Sequence, residues 1–208
     1  MLAGIYDLPM DYRVDDFLVT ERSQLPKCVR DTNTDEQVLV LDEGDGAAVG
    51  VFLDPQLLER LAAADPLAAL NSGNVADYWT ALEGVSHFMC LAWNSTHDRG
   101  VSLLELELQA EIDKYITSWW LLRAQDPERY PAELHRLLFE RTRIDATLAG
   151  ERVDLYREAN QHASRFCRRL ERLLIAENVR RQQETLCELR RFYRLSRERK
   201  MTHIQRTS

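Results

Sequence analysis

The stretch from Val101 to Ala124 constrains the fold of this chain more than any other part of the sequence. Ser102 and Glu105 stand three residues apart, as in the capping box that begins a helix. Apolar residues then recur at gaps of three and four: Leu104, Leu108, Ile112, Tyr115, Trp119 and Leu122. That spacing predicts the apolar face of a long amphipathic helix. The alternation of leucine and glutamate over residues 104–108 would also suit a strand, but the apolar face continues for several turns beyond it.

Length and composition are those of an ordinary soluble globular protein. The chain has 208 residues, of which 45% are hydrophobic and 29% are charged, so it can bury a core. No run of about 18 apolar residues occurs, and we therefore expect no membrane contact. The N-terminus does not resemble a secretory signal. The four cysteines are scattered singly, which is typical of reduced thiols in a cytoplasmic protein.

The charge is divided unevenly along the chain. Residues 1–150 contain 12 Lys and Arg against 26 Asp and Glu, a net charge of −14. Residues 151–208 contain 15 against 8, a net charge of +7. An acidic body with an Arg-rich end indicates an electrostatic role for the C-terminal region.

The expected fold is α+β and predominantly helical. Residues 1–54 predict a β subdomain, in which strand-like runs at 38–41 and 48–53 flank the turn sequence Gly44-Asp45-Gly46. A weak strand candidate at 16–20 could complete a meander. Residues 55–208 predict a helical domain with a basic C-terminal helical region, 151–208. The small N-terminal antiparallel hairpin or meander is expected to pack on the helical bundle, because a hairpin alone is marginally stable.

Three further helices matter for the candidate sites. Asp54-Pro55 is typical of a helix start. A long apolar helix is predicted from about residue 75 to 94, and a loop ending at Gly100 connects it to the central helix, so that the two are expected to form an antiparallel hairpin. The last helix is predicted over about 178–200, with frayed residues after it.

Four side chains on the two long helices form a candidate metal site. Glu83 and His87 are spaced i, i+4 on one helix, and Glu107 and Glu111 have the same spacing on the other. Such pairs can converge on a metal ion between helices, as in carboxylate-bridged bundles. Those proteins also carry a Glu-x-x-His motif, which neither helix has. The alternative is a solvated acidic face on the central helix and an interhelical hydrogen bond on the other.

Motifs for catalysis or for a cofactor are missing from the sequence. Ser86-His87 and the run 95–98 lack the Gly-x-Ser-x-Gly elbow of a serine hydrolase. Neither a P-loop nor a Rossmann fingerprint is present. We therefore expect no cofactor, and the sequence favours a protein that is not an enzyme.

The arginines of residues 165–200 form a candidate binding surface, with Arg190, Arg191 and Arg194 at its centre. A basic cluster of this kind can bind nucleic acid through counterion release. Glutamates are interleaved with the arginines, however, which also suits a solvated, ion-paired helix. The acidic body of the same chain or of a partner is a further candidate for contact.

The adjacent tryptophans Trp119 and Trp120 form a second candidate interface. Neighbouring residues on a helix point about 100° apart, so the two rings cannot face one core. Trp119 belongs to the apolar face, and Trp120 requires another contact. Because Trp is enriched in binding hot spots, a partner interface is one explanation. Burial of the helix on two sides within one domain is the other.

These patterns predict a non-catalytic, cytoplasmic interaction or regulatory protein that acts through amphipathic helices, with a protein partner or as a homo-oligomer. The alternative is a nucleic-acid-binding protein that uses the Arg-rich C-terminal helices. A second alternative is a metal-dependent enzyme with a carboxylate and histidine site in the helical bundle.

Overall fold

The structure, a computed structural model, describes residues 1–9, 13–30, 32, 34–42, 47–128, 130–140, 150–175 and 179–206. The chain forms two compact units. The first unit comprises residues 1–9 and 101–208, and the second comprises residues 10–100. The domain boundary predicted at residue 54 lies inside the second unit, between a strand and a helix.

Helices dominate the described residues, and a small sheet accompanies them. In chain order the elements are α1 (Leu2–Tyr6), a 3₁₀ turn (Val14–Phe17), β1 (Leu18–Val19), a second 3₁₀ turn (Arg22–Gln24), α2 (Lys27–Arg30), β2 (Glu36–Asp42), β3 (Ala47–Leu53), α3 (Pro55–Ala63), α4 (Val75–Ser95), α5 (Leu103–Gln125), α6 (Leu134–Phe139), α7 (Gly150–Leu174), α8 (Val179–Tyr193) and α9 (Arg197–Arg206). The predicted α+β, predominantly helical fold class is confirmed. None of the described helices has the length and apolar character needed to cross a membrane.

The sheet of the second unit is mixed, with strand order β1-β3-β2. β2 and β3 form the expected antiparallel hairpin, with Leu39 opposite Gly50. The expected meander is corrected, because β1 pairs in parallel with the other edge of β3, where Leu18 lies opposite Val51. Parallel neighbours need a long connection, and β2 lies between β1 and β3 in the chain. The predicted turn at 44–46 lies outside the described residues.

Asp54 fixes the junction between β3 and α3. Its carboxylate accepts a hydrogen bond from the backbone N–H of Gln56 at 2.9 Å, which confirms the predicted helix start. The guanidinium of Arg22 donates to the same carboxylate at 2.8 Å and to the carbonyl oxygen of Thr34 at 2.7 Å. Arg22 therefore joins the helix start, through an ion pair, to the segment that precedes β2, through a hydrogen bond.

The central helix α5 begins as predicted, but its polar face is buried. Ser102 and Glu105 form the capping box. The alternative to a metal site was a solvated acidic face on this helix, yet Glu107 is 5% exposed and Lys114 is 7% exposed. A fully solvated acidic face is therefore not what the structure shows, because polar partners inside the chain replace water around these side chains. Lys114 Nζ, for example, donates to the carboxylate of Glu111 at 2.8 Å.

The single helix predicted over 178–200 is instead two helices, α8 and α9. The chain leaves α8 through two tight turns, in which the N–H groups of Arg194 and Leu195 donate to carbonyl oxygens three residues earlier. Residues 202–206 continue α9 rather than fraying, because Lys200 and Ile204 are each only 2% exposed. Burial of these two side chains stabilises a segment that would fray alone.

A buried hydrogen-bond network joins α1 to α5. The hydroxyl of Tyr6 donates to the carboxylate of Asp113, and the amide of Gln109 donates to both groups at 2.9 Å. The Tyr6 ring also stacks on Tyr193 of α8, with ring centroids 4.3 Å apart. Burial, and then the charge of Asp113, raise the pKa of Tyr6 well above its usual value, so its hydroxyl keeps the proton that it donates.

The Tyr6 network gives a direct stability prediction. We expect Tyr6→Phe to lower the free energy of unfolding by about 1–3 kcal/mol, because the buried carboxylate of Asp113 loses a donor. Tyr115→Phe is the matched control, since its hydroxyl is buried with no hydrogen-bond partner among the described residues. That change should be neutral or stabilising. Urea unfolding measures both variants, and an equal loss in the two would contradict the role of Tyr6.

His135 of α6 makes stability depend on pH. It is 2% exposed, one ring nitrogen, Nε2, lies 3.0 Å from the carbonyl oxygen of Ser164, and the other is buried without a partner among the described residues. Burial is the main cause that lowers the pKa of His135 from its ordinary value of 6.5. The unfolded chain therefore binds a proton more readily, and this contribution to stability is lost as the pH falls below 6.5.

We expect wild-type unfolding free energy to fall between pH 7.5 and pH 5.5, and His135→Gln to remove part of that fall. Urea titrations at the two pH values provide the measurement. Identical pH dependence in wild type and His135→Gln would show that His135 titrates normally.

Candidate functional site

The two adjacent tryptophans of α5 have different surroundings in the first unit. Trp119 is only 3% exposed, and its ring meets the Tyr130 ring edge-on, with centroids 5.3 Å apart. Trp120 is half-buried. Both line a cavity of about 180 Å³, together with Arg123, Leu173, Leu174, Gln182 and Thr185. That volume is below the range of about 300–1,000 Å³ that is typical of ligand pockets.

Two of the three candidate arginines of α8 bind α1 of their own unit. Arg190 donates to the carbonyl oxygens of Ile5 at 3.0 Å and Gly4 at 3.2 Å. Arg194 donates to the carbonyl oxygen of Asp7 at 3.1 Å. These carbonyls lie at the C-terminal end of α1, where a helix attracts cations. Arg191 is exposed.

Other arginines of the basic region are paired with glutamates of the same region. Arg180 and Arg181 both contact Glu184, at 3.1 and 2.7 Å. Arg169 pairs with Glu188, which also lies 2.5 Å from His203. In each such pair a glutamate neutralises an arginine that could otherwise bind a nucleic-acid phosphate. The pattern favours an ion-paired helical region over nucleic-acid binding.

The four residues of the predicted metal site are divided between the two units. Glu83 and His87 lie one turn apart on α4 in the second unit, whereas Glu107 and Glu111 lie on α5 in the first. In the first unit, Glu107 is 5% exposed, and the carboxylate of Glu111 accepts from Lys114. Within the second unit, the structure brings a different carboxylate to the helical pair.

Glu36, the first residue of β2, completes the group on α4. One ligand atom each from Glu36, Glu83 and His87 lie within 4.8 Å of one another. His87 is 7% exposed, and the two glutamates are half-buried. The sequence did not indicate Glu36, because it is 47 residues from Glu83 and carries no motif. Gly84, a glycine inside a helix, was the one available signal that another chain segment approaches closely.

Comparison with known proteins adds no functional information. No protein-family model, curated protein or solved structure matches this chain. The geometry of its own residues is therefore the basis for a functional proposal.

The arginine contacts with α1 generate a prediction that separates structural from binding roles. We expect Arg190→Gln to lower the free energy of unfolding by about 1–3 kcal/mol, because hydrogen bonds from a charged donor to two carbonyls are lost. Arg191→Gln, the exposed neighbour, should change it by less than about 0.5 kcal/mol. Chemical denaturation compares the two, and equal effects would remove Arg190 from this structural role.

Proposed function

We propose that this protein is a non-catalytic, cytoplasmic interaction protein that binds an extended segment of a partner protein along β2. The observation that supports this function is the exposure of an apolar edge strand. Among the described residues, β2 has a neighbouring strand on one side only. Val40 and Leu41 within it are 55% and 52% exposed.

Consecutive residues of a strand point to opposite faces of the sheet. The exposure of both Val40 and Leu41 therefore leaves both faces of this end of β2 in contact with water. Edge strands usually carry lysine or proline, which discourage pairing with another chain. The run from Val38 to Leu41 carries neither. An extended peptide that pairs with β2 would gain backbone hydrogen bonds and cover the two apolar side chains.

The charge of the second unit favours a basic partner segment. Residues 10–100 contain 6 Lys and Arg against 16 Asp and Glu, a net charge of −10. A segment with an apolar centre and basic flanks complements this unit. A second copy of β2 does so less well, because the sequence of residues 36–42 contains two acidic residues and no Lys or Arg. Like charges that face each other across strands are destabilising.

Other observations support the remaining parts of the proposal. Cys90, Cys167 and Cys187 are free thiols, which is typical of a reducing compartment. The helical surface expected from the sequence has less support than β2. Trp119 is buried, and Arg190 and Arg194 donate to α1.

A designed peptide can take the place of the natural partner in a binding test. It would have four alternating Val and Thr residues between lysine pairs, and a second peptide would have glutamate pairs instead. We expect the full chain to bind the lysine peptide more tightly in a fluorescence anisotropy titration. Val40→Lys with Leu41→Lys should weaken that binding by about tenfold or more. The reason is that burial of the exposed half of each side chain contributes about 1 kcal/mol to the free energy of binding.

Leu67→Lys is the matched control, because Leu67 is a 61% exposed leucine of the same unit. It should bind the lysine peptide as wild type does. Failure of the full chain to bind either peptide, or equal binding by the double variant, would argue against a strand-binding function. A dimer in light scattering that the double variant converts to a monomer would identify a second copy as the occupant of β2 instead.

A further inference from the structure

Glu36, Glu83 and His87 form a group of mixed donors on two elements of the second unit. Glu83 and His87 lie on the same side of α4 because residues four apart on a helix are neighbours. β2 begins at Glu36, which brings its carboxylate to that side of α4. The ligand atoms lie within 4.8 Å of one another, and His87 is more than nine-tenths buried. We call these three residues the β2–α4 cluster.

The spacing of the cluster is close to that of a metal site. At metal–ligand distances of about 2.0–2.2 Å, two ligands of a tetrahedral site lie about 3.4 Å apart. The three atoms therefore need to approach one another by at most about 1.4 Å, a distance within the range of side-chain rotation. One imidazole with two carboxylates suits divalent first-row transition metals, since oxygen donors alone would favour Mg²⁺ or Ca²⁺.

Gly84 provides a second observation on the same cluster. A Cβ atom at this position would lie 2.8 Å from Glu36 Cγ, 2.9 Å from Glu36 Oε1 and 3.0 Å from Cγ1 of the buried Val51. Those distances are shorter than van der Waals contact, so any other residue would displace the Glu36 carboxylate. Glycine destabilises the interior of a helix, yet it occurs here directly after Glu83 and three residues before His87. The glycine allows the strand carboxylate to reach the helical pair.

We propose that Glu36, Glu83 and His87 bind a divalent first-row transition metal, with Zn²⁺ as the probe. Three protein ligands leave a position for water or another small ligand, as in open zinc sites. The two half-buried glutamates give the metal access to solvent. Bound metal would join the first residue of β2 to the middle of α4 and so hold the base of the β2–β3 hairpin. The metal site is carried by other residues than peptide binding at Val40 and Leu41, and Zn²⁺ binding is measured without a peptide.

Calorimetric titration of the full chain with ZnCl₂, after removal of metal by a chelator, tests the site. We expect one Zn²⁺ per chain. Glu36→Gln and Glu83→Gln keep the shape of each side chain but weaken a ligand, so each should lower the affinity about 100-fold or more. That expectation follows because loss of a residue that only hydrogen-bonds to a metal ligand already lowers metal affinity about 10–100-fold. The matched control is Glu59→Gln, which changes an exposed carboxylate of the same unit.

Gly84→Ala tests the cluster without changing a ligand. Alanine favours the helix, so the variant should remain folded while its Cβ displaces the Glu36 carboxylate. We expect the Zn²⁺ affinity to fall by about tenfold or more, the range of changes that misplace ligands. Gly4→Ala is the control, because a Cβ added to that helical glycine meets nothing within 4 Å. It should bind Zn²⁺ as wild type does.

Three results would overturn the site. The first is no Zn²⁺ binding by the full chain at millimolar concentration. The second is wild-type affinity in both Glu36→Gln and Glu83→Gln, which would place bound Zn²⁺ on other residues. The third is wild-type affinity in Gly84→Ala. Visible absorption of Co²⁺ bound in place of Zn²⁺ supplies a readout of coordination, and circular dichroism verifies that each variant is folded.

Discussion

The hydrogen bond from the Tyr6 hydroxyl to the Asp113 carboxylate is the interaction on which the first unit depends. A buried carboxylate costs several kcal/mol unless it is paired and hydrogen-bonded. Asp113 is 1% exposed, and Tyr6 and Gln109 both donate to it. The N-terminal residues are therefore required inside this unit, although more than 90 residues separate them from α5 in sequence. The stack of Tyr6 on Tyr193 extends the same requirement to α8.

The sequence predicts the local parts of this arrangement well. The capping residues Ser102, Glu105 and Asp54 act as predicted, because a helix cap involves residues only two or three positions apart. The predominantly helical α+β class follows from apolar periodicity in the same way. Burial of Glu107 and Lys114 could not be predicted, because it depends on elements distant in sequence that replace water around them. Periodicity identifies an apolar face, but it cannot show that a polar face is also covered.

The candidate metal site shows the same limit at the level of single residues. Glu83 and His87 could be predicted from their i, i+4 spacing, since that spacing is a property of one helix. Glu36 could not, because a strand residue reaches α4 only through the packing of the second unit. Gly84 is the residue of α4 that reflects the approach of Glu36. Glycine lowers the stability of a helix. Its presence here is explained because the Glu36 carboxylate lies 2.9 Å from the position that a Cβ would occupy.

The two proposals assign different roles to the two ends of one strand. Glu36, at the start of β2, contacts α4 and can be held there by a metal ion, whereas Val40 and Leu41 are exposed near its other end. A two-stranded hairpin is marginally stable by itself, so a strand end that is exposed on both faces depends on how firmly its base is held. A metal at the base would hold the start of β2 against α4 before a partner segment pairs with the strand. The free energy of ordering would then be supplied by the metal site rather than by the partner, which is how preorganisation raises affinity.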